Sequence, residues 1–119
     1  MKLTEKFIFH IPLFRYVDEE LLPINNIDSI IDELIEKFNE NNYKSLYLMN
    51  VKGFYKSRCF DEILITMYIS SSDENRTPPD EIFRKWFEKN NDKLKQESFA
   101  FEYNDTMFVE EIIESEFNI

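Results

Sequence analysis

The chain has 119 residues, and its 24 Asp and Glu against 14 Lys and Arg give a formal net charge of −10. This acidic balance argues against direct contact with a nucleic-acid backbone or an anionic membrane, because both need positive charge on some face. A single glycine excludes the P-loop, the GxGxxG dinucleotide motif and the GxSxG nucleophile elbow. The length fits one domain, 1–119.

The first half of the chain reads as a strand, a loop and a helix. Strand Phe7–Leu13 alternates, which places Phe7, Phe9 and Ile11 on one face and Ile8 and His10 on the other. Residues 14–26 are polar and acidic and predict a loop. Helical spacing follows in an apolar stripe: Ile27, Ile30, Ile31, Leu34, Ile35 and Phe38.

Two further strands, Ser45–Val51 and Glu62–Ser70, precede a second helix. Both faces of Glu62–Ser70 are largely apolar, which is typical of a central strand. The second helix starts in Thr77-Pro78-Pro79-Asp80, since Pro is favoured in a first turn. Its apolar residues are Ile82, Phe83, Trp86, Phe87 and Leu94.

An aromatic strand, Ser98–Tyr103, comes after the second helix. Asn104-Asp105 has the composition of a tight hairpin turn, so Thr106–Ile113 is predicted to pair back as a fifth strand. The acidic tail Glu114–Ile119 follows.

This order predicts an α+β fold: a ferredoxin-like β-α-β-β-α-β sandwich with an extra C-terminal strand. Two helices on one side of a single sheet leave its other face uncovered. A soluble protein rarely exposes such an apolar face, and a twofold pair of chains packed sheet on sheet would cover it. We therefore expect a homodimer.

The segment Tyr43–Phe60 carries four cations and no acidic residue, and it holds the only glycine, Gly53. Basic and aromatic side chains together can hold a flat anionic ligand by charge and stacking. The alternative is a purely structural hairpin connection whose cations lie against an acidic body or a dimer mate. The candidate ligand-binding residues are Lys52, Phe54, Tyr55, Lys56 and Arg58.

His10 and Cys59 are the only histidine and cysteine. His10 can act as a general acid or base, but an ordinary packing position in a strand is favoured because no carboxylate is tied to it by spacing. A basic neighbour, Arg58, would favour the Cys59 thiolate. For Cys59 a buried or half-buried inert thiol is the preferred interpretation. An enzyme that uses His10 or Cys59 is a third hypothesis, after the two functions given below.

The functional expectation is a small cytoplasmic dimer that binds a small anionic ligand or a partner without catalysis. No cofactor is predicted. The alternative is an acidic inhibitor or immunity-type protein that blocks the nucleic-acid-binding surface of a basic protein partner. The start of the chain shows no apolar run long enough for a signal peptide, and no stretch approaches the ~18 apolar residues of a membrane span.

Three features follow one another in the sequence: the segment Gly53-Phe54-Tyr55-Lys56, an apolar strand, and a helix that ends at Gln96-Glu97-Ser98 before an aromatic strand. Together they resemble a widespread bacterial domain of unknown function. The similarity covers roughly residues 28–109, and it implies a ferredoxin-like α+β fold with no assigned activity. The chain departs from that family by its stronger acidity and by lacking a secretory or lipoprotein-like leader. A polar triplet at a helix-to-strand junction is expected to satisfy the last helix carbonyls.

Overall fold

The computed structural model describes residues 2–70 and 76–112. In chain order the elements are β1 (Glu5–Pro12), β2 (Phe14–Val17), β3 (Glu20–Pro23), α1 (Ile27–Glu40), β4 (Tyr47–Tyr55), β5 (Arg58–Ile69), α2 (Pro79–Leu94), β6 (Ser98–Tyr103) and β7 (Thr106–Glu111). No helix within these ranges is long and apolar enough to cross a membrane.

Five strands form one sheet in the order β4-β5-β1-β6-β7, and each neighbouring pair is antiparallel. The α+β class and the fifth strand are confirmed. That strand ends at Glu111; Ile113 and the tail Glu114–Ile119 lie outside the described residues. The turn at Asn104 and Asp105 is also confirmed, because both residues take the positive φ (44° and 69°) that a tight two-residue hairpin requires.

The core lies between one face of the sheet and the two helices. Phe9, on the central strand β1, is fully buried, and its ring centroid lies 4.8 Å from that of Phe83 and 5.3 Å from that of Phe38. The Trp86 indole N–H donates to the Ile30 carbonyl over 2.9 Å, which joins α2 to α1. The predicted alternation of β1 is therefore confirmed, with Phe7, Phe9 and Ile11 facing the core.

The predicted loop over residues 14–26 is wrong over residues 14–23. β2 and β3 pair as a separate two-stranded antiparallel sheet that turns at Asp18 and Glu19, with φ of 51° and 67°. Asp is common in such a turn but Glu is not, so the composition marked the hairpin only weakly.

The β4–β5 hairpin is longer than predicted, because it continues through the basic segment to a turn at Lys56 and Ser57. Its only glycine has a packing role. The ring of Phe60, the cross-strand partner of Gly53, lies over the glycine, and a Cβ at Gly53 would come within 2.6 Å of the Phe60 ring. Glycine is needed here for the close approach of that ring.

The other face of the sheet is not covered by the helices. On this face, which we call the open face, large apolar side chains remain exposed along β4, β5 and β7. They are Tyr47, Met49, Tyr68, Met107 and Val109, with exposed fractions between 44% and 64%. Leu48 points to the opposite side of β4, yet it too is 45% exposed, so the helices do not cover this edge strand.

We expect Gly53→Ala to lower the free energy of unfolding by about 1 kcal/mol, because the added methyl group forces the Phe60 ring to shift. Urea denaturation measures this cost. In a Phe60→Ala background the same substitution is expected to cost nothing, and an equal cost in both backgrounds would show that the ring is not the cause.

Candidate functional site

The open face of the sheet carries a histidine held between two carboxylates. His10 Nδ1 lies 2.9 Å from Glu62 Oε1 on β5, and His10 Nε2 lies 2.8 Å from Glu102 Oε2 on β6. All three side chains are half-buried, with exposed fractions of 20% to 28%. We call this group the imidazole–carboxylate triad.

The register of the sheet explains how the triad forms. Glu62 is paired with Pro12 and Glu102 with Ile8, so each glutamate sits diagonally from His10, on opposite sides. Diagonal neighbours across antiparallel strands lie within reach of long side chains. The central position of β1 therefore places one carboxylate against each ring nitrogen.

The electrostatics of the triad favour a charged imidazole. The hydrogen bond to Glu62 raises the pKa of His10 above its ordinary value, burial opposes this, and the hydrogen bond to Glu102 adds to it. Sequence spacing tied no carboxylate to His10, and the pairing of distant strands is what brings Glu62 and Glu102 to it.

The described residues contain no group of three or more His, Cys, Asp and Glu side chains arranged to hold a metal ion. The triad itself shows why. The two ring nitrogens of His10 point to different carboxylates on opposite sides, so the three side chains face one another and do not converge on a common point.

An open cleft of about 590 Å³ adjoins the triad, a volume within the usual range for small-molecule sites. His10 and Glu62 are among its polar lining residues, and Phe60 is among its aromatic lining residues. The full lining is His10, Pro12, Val51, Lys52, Gly53, Phe54, Tyr55, Phe60, Glu62, Leu64, Phe87, Gln96, Ser98, Phe99 and Ala100.

Three of the five predicted ligand-binding residues line this cleft: Lys52, Phe54 and Tyr55. Phe54 is 76% exposed. The Lys52 ammonium donates to Asp61 over 2.7 Å, and this hydrogen bond raises the pKa of Lys52. Its charge is therefore already paired with a carboxylate.

The other two predicted residues, Lys56 and Arg58, do not line the cleft. Lys56 lies in the hairpin turn with its ammonium 5.4 Å from the Tyr55 ring centroid. Arg58 lies over the Tyr16 ring and donates to the Glu19 carbonyl over 3.2 Å, which ties the two hairpins together. The Arg58 side chain therefore contacts the neighbouring hairpin and not the cleft.

Cys59 is exposed, so the predicted buried or half-buried thiol is wrong. Cys59 pairs with Phe54 near the end of the β4–β5 hairpin, where both side chains are exposed. Sequence alternation alone could not show that the hairpin extends past the part of the sheet that the helices cover.

The helix-to-strand junction has the structural role expected for its polar triplet. The Gln96 side-chain amide donates to the carbonyl of Leu94, the last residue of α2, over 2.7 Å and to the Phe14 carbonyl over 3.0 Å. The Gln96 backbone N–H donates to Asn91 Oδ1 over 3.0 Å. These bonds fix the end of α2 against the start of β2 at the rim of the cleft.

No protein-family model and no curated protein matches the sequence. Solved structures with the same fold include two of phage SAM lyase. A phage SAM lyase in its apo state is 13% identical, with a TM-score of 0.53, and a phage SAM lyase in complex with S-methyl-5′-thioadenosine is 12% identical, with a TM-score of 0.58. Each match covers 91% of this chain and 89% of the other. At this identity the likeness shows a common fold.

The triad predicts a characteristic dependence of stability on pH. Because the folded pKa of His10 is raised, its stabilising contribution is complete below the unfolded value of about 6.5 and is lost as pH rises through the folded value. We expect the difference in free energy of unfolding between the wild type and His10→Gln to shrink as pH rises from about 5.5 to 9.

Urea denaturation at several pH values measures this difference, and comparison with the variant cancels the other titrating groups. A difference that stays constant over this range would mean that His10 has the same pKa in the folded and unfolded chains.

Proposed function

We propose that the protein binds a small cationic nucleoside of the S-adenosylmethionine (SAM) class in the cleft beside the triad. The observation that carries the proposal is the position of Glu62, whose carboxylate belongs to the triad and also lines the cleft. A carboxylate in a half-buried site attracts a positive charge such as the sulfonium of SAM.

The rest of the cleft suits the nucleoside part of such a ligand. Phe54, Tyr55 and Phe60 line the cleft on the hairpin side, and flat purine rings stack on aromatic side chains. The only lysine or arginine of the lining, Lys52, is already paired with Asp61. The charge of the cleft therefore favours a cation over the anionic ligand expected from the sequence.

Cleavage of the bound ligand is the second candidate function, favoured by the common fold with phage SAM lyase. Breaking the bond between the sulfonium sulfur and the amino-acid chain of SAM sends the bonding electron pair to sulfur, and the carbon left behind must form a new bond. The carboxylate of SAM itself can supply this bond by attacking that carbon, so that the amino-acid chain leaves as homoserine lactone. The sulfonium becomes the neutral thioether S-methyl-5′-thioadenosine, the molecule bound in one of the two matching structures.

We expect SAM to bind the wild-type protein and Glu62→Gln to weaken that binding at least about tenfold, because the variant removes one charge from the lining of the cleft. Isothermal titration calorimetry measures the dissociation constants. Chromatography of the same samples shows whether S-methyl-5′-thioadenosine has accumulated, which separates a lyase from a binding protein.

Glu111→Gln is the matched control, since Glu111 is an exposed glutamate on the edge strand β7 and does not line the cleft. It is expected to bind SAM as the wild type does. Equal losses of SAM affinity in both variants would indicate a general effect of net charge. Absence of SAM binding to the wild type would refute the proposed ligand and favour the acidic-inhibitor alternative.

We also propose that two chains associate through the open face as a homodimer. The exposed apolar side chains of β4, β5 and β7 support this, because burying them against a second copy removes apolar surface from water. The triad lies on the same face, so such an interface would have to leave the cleft beside it open to solvent.

We expect Met49→Glu to convert the dimer into monomers, because it buries an unpaired charge in an apolar interface. Native mass spectrometry measures the proportions. Leu48→Glu is the matched control: its side chain is comparably exposed but points to the other side of β4, so the dimer is expected to persist. A wild-type monomer, or equal dissociation of both variants, would refute this interface.

A ferredoxin-like assignment and a cytoplasmic location complete the proposal. The central position of β1, between β5 and β6, together with the two helices, supports a ferredoxin-like plan to which β2, β3 and β7 are additions. The exposed free thiol of Cys59 suits a reducing compartment.

A further inference from the structure

We infer that His10 is a specificity-determining residue: its protonation state sets whether the cleft prefers a cationic sulfonium over the neutral thioether of the same shape. The inference rests on the proposed function and goes beyond it, because it concerns discrimination between two ligands that differ in a methyl group and one charge.

The geometry of the triad suits a doubly protonated imidazole. Both ring nitrogens lie at hydrogen-bond distance from a carboxylate oxygen, and an ionised carboxylate only accepts, so each nitrogen donates a proton when both glutamates are charged. A neutral imidazole has one N–H and satisfies one carboxylate. Loss of the proton therefore leaves one of the two carboxylates without its donor.

The charge balance changes with that proton. The imidazolium and two carboxylates together carry −1, whereas the neutral imidazole and two carboxylates carry −2. A sulfonium gains attraction from this change, because it replaces the lost positive charge beside Glu62, which faces the cleft. A neutral thioether gains no such attraction, so its affinity is expected to change little.

Other charged groups near His10 are few among the described residues. Glu62 on β5 and Glu102 on β6 are the two that contact it. The other neighbouring positions on the open face are uncharged: Leu64 and Thr66 on β5, Ala100 on β6, Ile8 on β1, and Met49 and Val51 on β4. Lys52 lines the same cleft as His10, with its ammonium bonded to Asp61. Lys6 shares the open face of β1, beyond Ile8, and its ammonium lies over the Tyr68 ring. His10 is therefore the group whose protonation changes near neutral pH.

The test compares SAM with S-adenosylhomocysteine, its neutral thioether counterpart, by isothermal titration calorimetry between about pH 6 and 9. The amino group titrates at a lower pH in SAM because of the nearby sulfonium charge, and comparison of the wild type with His10→Gln removes this ligand contribution from the ratio of dissociation constants. Chromatography after each titration confirms that SAM is intact. We expect the preference for SAM to rise with pH in the wild type, by no more than about tenfold per pH unit.

His10→Gln is expected to remove the part of this pH dependence that comes from the protein, since an amide does not titrate, and to leave only the part that comes from the ligands. Lys6→Gln is the matched control on the same strand and face: it removes a charge without touching the triad and is expected to keep the wild-type pH dependence.

A second readout uses the fact that His10 is the only histidine. Its ring resonances can be followed by NMR during a pH titration without assignment of the rest of the chain. By reciprocity of linkage, bound SAM must lower the pKa of His10, whereas bound S-adenosylhomocysteine leaves it near the value of the free protein.

The outcomes separate the inference from the proposed function. If both ligands bind and their ratio does not change with pH in the wild type, the role of His10 is refuted while the proposed ligand class stands. The same follows if His10→Gln retains the wild-type dependence, or if SAM leaves the His10 pKa unchanged. If neither ligand binds at any pH, both proposals fail.

Discussion

The burial of one face of β1 is the constraint on which the structure depends. Phe9 lies fully buried between Phe38 of α1 and Phe83 of α2, on the strand that pairs with both β5 and β6. Because side chains alternate along a strand, committing Phe7, Phe9 and Ile11 to the core commits His10 to the opposite face. The same aromatic burial that holds the helices to the sheet therefore positions the triad.

The triad is tolerable on the open face because it is only half-buried. A histidine between two carboxylates in a closed core would leave a net negative charge without water, at a cost that hydrophobic burial could hardly offset. At the surface of the sheet, solvent still reaches all three groups. This exposure also leaves Glu62 able to contact a ligand in the cleft. Partial burial thus makes the carboxylates responsive to an added cation without endangering the fold.

Local periodicity was sufficient to predict the elements of the main sheet and its helices. The alternation in β1 and the helical stripe of α1 predicted which side chains face the core, and these predictions were confirmed. Turns whose left-handed residues are neither Gly nor Asn defeated the same reasoning. Asp18-Glu19 and Lys56-Ser57 both take positive φ, and for this reason the β2–β3 hairpin and the full length of the β4–β5 hairpin were missed.

The candidate site was only partly predictable, for a different reason. Lys52, Phe54 and Tyr55 were found because they adjoin one another in a distinctive segment, and they do line the cleft. Glu62 and Glu102 are separated from His10 by 52 and 92 residues, and a shift of one residue in either strand pairing would have turned them to the core face. Register is a property of the assembled sheet. A sequence signal was nevertheless present: a lone histidine in the outward alternation of the first strand, with a glutamate in the outward alternation of each strand predicted to flank it. Reading outward-facing positions across strands, in addition to reading each strand for its core face, would have placed the three residues together.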